Sequence, residues 1–171
     1  AMTNVVSGTQ QGAGTITMQV ARNFFLTREK TLTRKLREVL LAWKIEANLT
    51  KDEILELYVN QIFLGQRAYG FAAAAQIYFG KPLKDLSPAE AAMLAGLPKA
   101  PSAFNPVTNP KRAKIRQEYV LRRMHDLRYL SDAEHEQARN APLAIRQGVR
   151  ESVPVRVAFV GAHQLRPDLR A

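Results

Sequence analysis

One helix-start signal occurs three times in the sequence, and it limits the possible folds more than any other feature. A Ser or Thr is followed three residues later by Glu and then by a helix-compatible segment, in the pairs Thr50 with Glu53, Ser87 with Glu90, and Ser131 with Glu134. In such a capping box, the hydroxyl and the carboxylate each accept a hydrogen bond from a backbone N–H at the helix start. The sequence therefore predicts a mainly helical, all-α chain.

The periodicity of apolar residues predicts helices near residues 15–26, 28–49, 51–64, 70–79, 88–96, 110–129 and 132–139. Pro88 and Pro110 lie just inside two of these helices, where a missing N–H has no cost. Further prolines within residues 97–110 predict an ordered crossing loop. Beyond Pro142 the helical period ends, and residues 153–159 alternate as in a short strand. We interpret residues 1–140 as one domain and residues 141–171 as a linker.

The net charge of +10 indicates anionic partners, which include nucleic acid, an acidic membrane surface and phosphorylated substrates. The chain has no Cys, which excludes a disulfide framework and a thiolate zinc site. A basic run at Lys111, Arg112, Lys114 and Arg116 favours a helical nucleic-acid-binding module as the main alternative function. Such a module would bind duplex DNA tightly and in a salt-sensitive manner.

The segment of residues 32–49 carries two stripes at helical spacing. The first is apolar and is predicted to face the core; its members are Leu32, Leu36, Val39, Leu40, Trp43 and Ala47. The second contains Arg34, Glu38, Leu41, Ile45 and Leu49, so that Arg34 and Glu38, with Lys35 beside them, are predicted at the mouth of a cleft. An ordinary ion pair at this spacing would contribute only about 0.2–0.5 kcal/mol. A partly buried carboxylate beside two cations also suits sugar transfer from a diphosphate.

Three segments together resemble motifs of one enzyme family. Residues 12–23, GAGTITMQVARN, are similar to G-x-S-T-x-T-Q-Q-x-x-K-N, with departures at Gly14 and Met18 and with Arg22 in place of Lys. Residues 34–46, RKLREVLLAWKIE, and residues 51–65, KDEILELYVNQIFLG, resemble R-K-x-x-E-x-x-x-A-x-x-x-E and K-x-x-I-x-E-x-Y-x-N-x-x-x-x-G at every specified position. These are motifs of the glycosyltransferase domain of class A penicillin-binding proteins, the family 51 glycosyltransferases. A looser match begins at Arg116.

The resemblance implies a lysozyme-like, mainly helical fold that is truncated at its N-terminus. It implies a cleft that binds lipid II and the growing glycan strand at a membrane surface, and no nucleic-acid partner. Glu38 takes a catalytic position and assists departure of the lipid diphosphate, either directly or through a divalent cation, Mg or Mn; no protein metal site is expected. The implied substrate-binding residues are Thr15, Gln19, Arg22, Asn23, Arg34, Lys35, Tyr58, Asn60 and Arg116.

The inverting transfer that the family performs needs a second carboxylate as general base. In the family this Glu belongs to a motif, E-D-x-x-F-x-x-H-x-G, that has no counterpart here, so we expect it upstream of Ala1 and expect this chain to be inactive alone. The resemblance also implies a location at the periplasmic face of a bacterial inner membrane, an anchor outside this chain and fusion to a transpeptidase domain. A lytic transglycosylase is a further alternative, which the paired motifs of residues 34–46 and 51–65 disfavour.

Overall fold

A computed structural model describes residues 14–25 and 32–146. It divides the chain into two compact units, residues 1–58 and residues 59–171. The described helices are α1 (Ile16–Phe25), α2 (Leu32–Asn48), α3 (Lys51–Gln61), α4 (Phe71–Phe79), α5 (Pro88–Gly96), α6 (Pro110–Asp126) and α7 (Asp132–Asn140). The described residues contain no strand, only an isolated antiparallel bridge between Phe63 and Tyr69. The all-α prediction is confirmed.

In the first unit, α1, α2 and the first turns of α3 pack around a small apolar cluster. The side chains of Val20, Ala21, Ile45 and Ile54 are buried there. Leu41, Leu49, Leu57 and Tyr58 pack against them and are partly buried. At the start of α3, the Thr50 N–H donates to Glu53 Oε2 at 2.7 Å, and the Glu53 N–H donates to Thr50 Oγ1 at 3.3 Å. This capping box therefore fixes where α3 begins, as predicted.

The prediction for the apolar stripe of α2 is wrong. Leu32, Leu36, Val39, Leu40 and Trp43 are all exposed, with Trp43 at 76% and Leu32 at 92%. The face that packs against the cluster is the other one, since Glu38, Ala42 and Ile45 are the buried residues of α2. Helical spacing identifies an apolar face, but it does not determine what covers that face. Here the face that carries both Glu38 and apolar residues packs into the core of the unit.

The second unit contains α4 to α7 and a core cluster formed by α5, α6, α7 and the segments that follow. Ala89, Ala92, Leu121, Leu130 and Ala138 are buried in it, and Ala141 and Leu143 pack against it. The side-chain amide of Gln117, fully buried on α6, donates to the carbonyl oxygen of Ala89 at 2.7 Å. This hydrogen bond ties the middle of α6 to the first turn of α5.

Capping boxes and prolines start the helices of the second unit where the sequence predicts them. Ser87 caps α5 and Ser131 caps α7, each with its partner Glu, while Pro88 and Pro110 lie in the first turns of α5 and α6. α3 and α6 end three residues earlier than predicted, at Gln61 and Asp126. Residues 97–110 form the expected crossing loop, apart from a short 3-10 turn at Leu97–Lys99.

None of the helices in the part of the chain that the structure describes is long and apolar enough to cross a membrane. The predicted strand at residues 153–159 lies outside the described residues. Residues 141–146 run along the second unit, where the Arg146 N–H donates to the carbonyl oxygen of Tyr78 at 2.9 Å. The predicted division at residue 140, between a domain and a linker, stays a prediction.

Candidate active site

Glu38 is the centre of the candidate site because it is a buried carboxylate between two cations. Its side chain is buried, with a residue exposure of 1%. Lys35 Nζ donates to Glu38 Oε2 at 3.0 Å, and Arg34 Nε lies 3.4 Å from Glu38 Oε1. A carboxylate without such partners would be very costly to bury. This arrangement is more than the exposed i,i+4 pair that the spacing alone would allow. The predicted position at the mouth of a cleft stays a prediction.

Lys35 also brings the motif of residues 12–23 next to the motif of residues 34–46. A Cβ atom built at Gly14 would lie 3.8 Å from Lys35 Nζ and 3.6 Å from Met18 Cβ. Gly14 is the position at which the family usually has Ser, and the two distances are ordinary van der Waals contacts. The Lys35 ammonium group therefore lies where the motif of residues 12–23 meets the motif of residues 34–46, and its side chain is 39% exposed.

The start of α1 carries Thr15 and Gln19 from the motif of residues 12–23. Thr15 Oγ1 accepts a hydrogen bond from the Met18 N–H at 3.2 Å, which caps the helix, and the backbone N–H of Gln19 donates to the carbonyl oxygen of Thr15 at 3.0 Å. Gln19 is half-buried, whereas Arg22 and Asn23 are exposed. A hydroxyl that caps a helix in this way keeps a lone pair for a ligand. Thr15, Arg22 and Asn23 are thus accessible to a ligand, and Gln19 is partly so.

Tyr58 lies in the first unit within electrostatic range of Arg22. Burial raises the pKa of the Tyr58 hydroxyl, and the Arg22 guanidinium lowers it by a smaller amount, so the net shift is upward. Its ring packs against the apolar cluster of the first unit. Asn60, two residues later, is exposed. Residues two apart on a helix point in different directions, and here Tyr58 packs whereas Asn60 faces solvent.

Sequence analysis missed a hydrogen-bonded group that links the three motifs. Thr17, 4% exposed, donates from Oγ1 to Glu46 Oε1 at 2.6 Å, and Lys51 Nζ lies 3.0 Å from the same oxygen. The hydrogen bond from Thr17 is the largest cause that holds the pKa of Glu46 below its usual value. Each of the three residues occupies a specified motif position, and this was the signal that could have identified them.

Arg116 belongs to the second unit, where it stacks on aromatic rings. Its guanidinium carbon lies 4.5 Å from the centroid of the Tyr119 ring and 6.0 Å from that of Phe104. Within the described chain, Arg116 Nε is buried and has no hydrogen-bond partner. A Cβ at Gly96 would lie only 2.8 Å from Arg116 Cγ, so Gly96 provides the space through which this side chain passes. The backbone of Gly96 is right-handed helical, which any residue can adopt, so space is what requires glycine there.

Two histidines of the second unit form a cluster with an aspartate. The rings of His125 and His135 stack with centroids 4.8 Å apart, and His125 Nε2 lies 2.6 Å from Asp132 Oδ1. The hydrogen bond to His125 is the main cause of the lowered pKa of Asp132. The third histidine, His163, lies outside the described residues.

The described residues provide no protein cage for a metal. No group of three or more His, Asp or Glu side chains within residues 14–25 and 32–146 could hold a metal ion. Both carboxylate oxygens of Glu38 face cations, which disfavours a further cation against them. These residues do not fit a resident divalent cation, and any such ion would have to arrive with the phosphates of a substrate.

The site combines fixed cations with a carboxylate that is largely withdrawn from water. Arg34 and Lys35 can neutralise a diphosphate, because a guanidinium group forks onto phosphate oxygens and an ammonium acts as a mobile point charge. No described contact joins Arg22 to this pair. Coulombic interactions are stronger at a buried site than in water. The chemistry that this arrangement supports best is the departure of an anionic phosphate leaving group.

Comparisons with known proteins agree with this chemistry. The protein-family model described as transglycosylase matches residues 1–125. Penicillin-binding protein 1A from Neisseria gonorrhoeae is 62% identical over 152 residues, which cover 88% of this chain and 19% of that protein. A putative transglycosylase from Cupriavidus necator is 63% identical over 143 residues, or 84% of this chain and 62% of that protein.

A solved structure also matches. The crystal structure of penicillin-binding protein 1A from Haemophilus influenzae superposes with a TM-score of 0.54 at 37% identity, covering 81% of this chain and 18% of the other. The match supports the predicted lysozyme-like helical fold. The chain therefore spans about a fifth of the length of these penicillin-binding relatives. The comparisons do not favour the alternative of a nucleic-acid-binding module.

Proposed function

Because this chain belongs to the transglycosylase family, we propose that it is the part of a peptidoglycan glycosyltransferase that binds the lipid diphosphate of the donor. The reaction is inverting transfer from lipid II to a growing glycan strand, with undecaprenyl diphosphate as the leaving group, at the outer face of a bacterial inner membrane. The observation that carries the proposal is the Glu38 carboxylate, 1% exposed, between Arg34 and Lys35. In the parent polypeptide, the partners are lipid II, the glycan strand and a fused transpeptidase domain.

In this reaction the cations act on the leaving group. Lys35, Arg34 and Arg22 bind the diphosphate oxygens, and their charge stabilises the negative charge that develops as the anomeric C–O bond breaks. Glu38 forms ion pairs with Lys35 and Arg34 through its two oxygens and assists departure of the diphosphate. Thr15, Gln19 and Asn23 add polar contacts from α1. Asn60 and Arg116 are proposed contacts of the second unit.

The general base that takes the proton from the acceptor hydroxyl is a second carboxylate, which belongs to the family motif E-D-x-x-F-x-x-H-x-G and has no counterpart within residues 1–171. Lack of a general base lowers a rate by about 10² to 10⁴. The isolated chain is therefore expected to bind the donor diphosphate but to make no detectable glycan from lipid II. Clear polymerisation by this chain alone would show that the base lies within it.

The binding step can be tested on the chain itself with undecaprenyl diphosphate in detergent. Lys35→Met should weaken binding by about tenfold or more, since a hydrogen bond to a charged group contributes about 1.5–3 kcal/mol. Glu38→Gln removes a competing anion from the same cations, so its binding should be at least as tight as that of the wild type. Glu136→Gln, at an exposed position on α7, serves as the matched carboxylate control.

Turnover tests whether Glu38 acts in the reaction itself and not only in binding. In a longer polypeptide that contains the family motif E-D-x-x-F-x-x-H-x-G, Glu38→Gln should abolish glycan synthesis while circular dichroism shows an intact fold. Full activity of that variant would show that Glu38 serves only to form a structural ion pair. Weaker diphosphate binding by Glu38→Gln in the isolated chain would contradict the proposed division of labour.

A further inference from the structure

The short hairpin of residues 62–70, which follows α3, carries two aromatic side chains on its outer face. Phe63 and Tyr69 form its antiparallel bridge, and their ring centroids lie 5.2 Å apart with the ring planes tilted by 49°. The Leu64 N–H donates to the carbonyl oxygen of Ala68 at 2.9 Å. Phe63 and Tyr69 are therefore a non-hydrogen-bonded pair, the kind whose side chains lie closest together across a hairpin. They remain 39% and 51% exposed, so the two rings form one aromatic surface that solvent reaches.

The remaining side chains of the hairpin divide by polarity. The aliphatic ones point inward, because Ile62, Leu64 and Ala68 are all buried. Gln66 and Arg67 lie at the tip and are exposed. The outer surface therefore consists of two aromatic rings, an amide and a guanidinium group. A ligand that suits it has an apolar face and polar edges, since the rings supply apolar contact area and the other two groups supply hydrogen bonds.

The backbone of this hairpin is held in an unusual conformation by buried contacts. Gly65, Gln66 and Arg67 are three consecutive left-handed residues, with φ angles of 83°, 46° and 60°. Residues other than glycine rarely adopt such angles, and they do so where the surroundings hold them in place, often at ligand sites. Here the Tyr78 hydroxyl donates to the carbonyl oxygen of Leu64 at 2.9 Å, and both residues are fully buried. The hairpin is therefore anchored before a ligand arrives, which reduces the entropy lost on binding.

We propose that Phe63 and Tyr69 form a stacking platform for a pyranose ring of the growing glycan strand, while Arg67 binds a carboxylate carried by the same strand. The faces of aromatic rings are negative, and the C–H groups on one face of a pyranose ring are weakly positive. The Gln66 amide can donate to and accept from the hydroxyl and N-acetyl groups at the edge of the sugar. The identity of the strand rests on the proposed function, whereas a saccharide as the ligand follows from the hairpin itself.

Arg67 extends the platform to the peptides that branch from the strand. Those peptides end in carboxylates, and a guanidinium group forms charge-assisted hydrogen bonds with a carboxylate. Stacking therefore holds the neutral sugar backbone, and the charge of Arg67 favours strands that carry peptides. The platform belongs to the second unit and the donor cations Arg34 and Lys35 belong to the first, so the two sites bind different parts of the substrate.

Two soluble probes separate the two contacts. Chitotetraose, a tetramer of N-acetylglucosamine, has pyranose rings and no carboxylate. A tetrasaccharide released from peptidoglycan by a muramidase has the same kind of rings and carries peptides. Calorimetric titration of the whole chain should show binding of both probes and tighter binding of the tetrasaccharide. Saturation-transfer NMR should show transfer from the aromatic protons of the protein to the ring protons of both probes.

Substitutions at Tyr69 test the stacking contact. Tyr69→Leu keeps an apolar side chain but removes the ring, so it should weaken the binding of both probes by about fivefold or more. Tyr69→Phe keeps the ring and should bind both probes like the wild type. The matched control is Tyr129→Leu, at a tyrosine of the second unit that is 74% exposed. It should bind like the wild type, and circular dichroism should show that all three variants keep their helices.

Arg67→Gln tests the charge contact. It should weaken tetrasaccharide binding by about fivefold and leave chitotetraose binding unchanged, because only the tetrasaccharide carries carboxylates. Raising the salt concentration should likewise weaken only tetrasaccharide binding. Arg112→Gln, at an exposed position on α6, is the control for the loss of one positive charge and should change neither affinity.

Any of three results would overturn the proposal. The first is no binding of either probe to the wild type, the second is an equal loss in Tyr69→Leu and Tyr129→Leu, and the third is an equal effect of Arg67→Gln on both probes. A wild-type chain that binds undecaprenyl diphosphate in detergent but neither probe would exclude the platform and leave the proposed function intact. Binding of the probes without binding of undecaprenyl diphosphate would exclude the donor site instead.

Discussion

At the scale of single residues, Thr17 shows how a small side chain can position a helix. Its hydroxyl is buried and donates to Glu46 Oε1 at 2.6 Å, so it joins the first turn of α1 to the last turn of α2. Gln19 and Arg22 follow on α1, while Arg34 and Lys35 lie on α2. The geometry of the cations therefore depends on a hydroxyl that need not touch the substrate.

Thr17→Val, which keeps the shape and removes the donor, should lower the free energy of unfolding, and Thr17→Ser should restore most of it. The loss should depend on pH, because the hydrogen bond from Thr17 lowers the folded-state pKa of Glu46 below 4.5. A carboxylate with a lowered pKa contributes stability above its unfolded pKa and loses it as the pH falls through the folded pKa. Urea denaturation should thus show a large difference between Thr17→Val and wild type near neutrality and a small one in acid. A difference that does not change with pH would contradict this account.

Two glycines of the second unit allow the cost of a positive φ angle to be distinguished from the cost of a steric clash. Gly70 and Gly80 both have left-handed φ angles, of 82° and 68°. A Cβ at Gly70 would lie 2.4 Å from the backbone oxygen of Asn60, whereas at Gly80 the nearest atoms, at 3.1 Å, belong to the flexible end of Arg146. Only the contact at Gly70 cannot be relieved by a side-chain movement.

Gly70→Ala should therefore destabilise the chain by about 2 kcal/mol or more, and Gly80→Ala by about 1 kcal/mol. The comparison is made from the midpoints of urea unfolding, with the slope m unchanged in both variants. Equal losses would mean that the φ angle alone sets the cost at both positions.

At the scale of elements, the sequence predicts where helices begin better than which face they bury. The starts of α3, α5 and α7 depend on local hydrogen bonds between residues three apart, and such bonds form wherever the helix packs. The buried face of α2 depends on what lies against it. Leu36 and Trp43 satisfy the spacing for a core face but are exposed, and Glu38, which spacing alone would place at a surface, is buried. Its identification required the motif resemblance.

The capping box of α5 should be more important for stability than that of α7, because its Glu makes an additional ion pair. Lys81 Nζ lies 2.8 Å from Glu90 Oε1, and Glu90 is 5% exposed. Burial raises the pKa of Glu90, but the hydrogen bonds from Lys81 and Ser87 lower it by more. The pKa of Glu90 is therefore below its usual value of 4.5. Glu90→Gln should therefore lose about 1.5–3 kcal/mol at neutral pH.

The matched variant is Glu134→Gln, which weakens the capping box of α7 at an exposed position. At neutral pH, Glu134→Gln should lower the melting temperature clearly less than Glu90→Gln does. The excess loss of Glu90→Gln should shrink as the pH falls below 4.5, because protonation of Glu90 removes the same interaction from the wild type.

At the scale of the whole molecule, each unit has a core of its own, and each core can be perturbed separately. Ile45 is 3% exposed in the apolar cluster of the first unit, and Leu121 is fully buried in that of the second. Ile45→Ala and Leu121→Ala should each cost about 2–5 kcal/mol in their own unit. Hydrogen exchange should show lost protection in α1 and α2 for the first variant and in α5 to α7 for the second. Uniform loss along the chain in both variants would indicate one cooperative core.

The passage of Arg116 beside Gly96 has a consequence for how this protein can vary through evolution. Since the Arg116 side chain occupies the space that a Cβ at position 96 would need, neither position can change freely without the other. A methyl group at 96 would push the guanidinium off the Tyr119 ring, unless 116 became shorter in the same lineage. Among distant homologues, positions 96 and 116 should therefore covary, so that a larger residue at one position accompanies a smaller residue at the other.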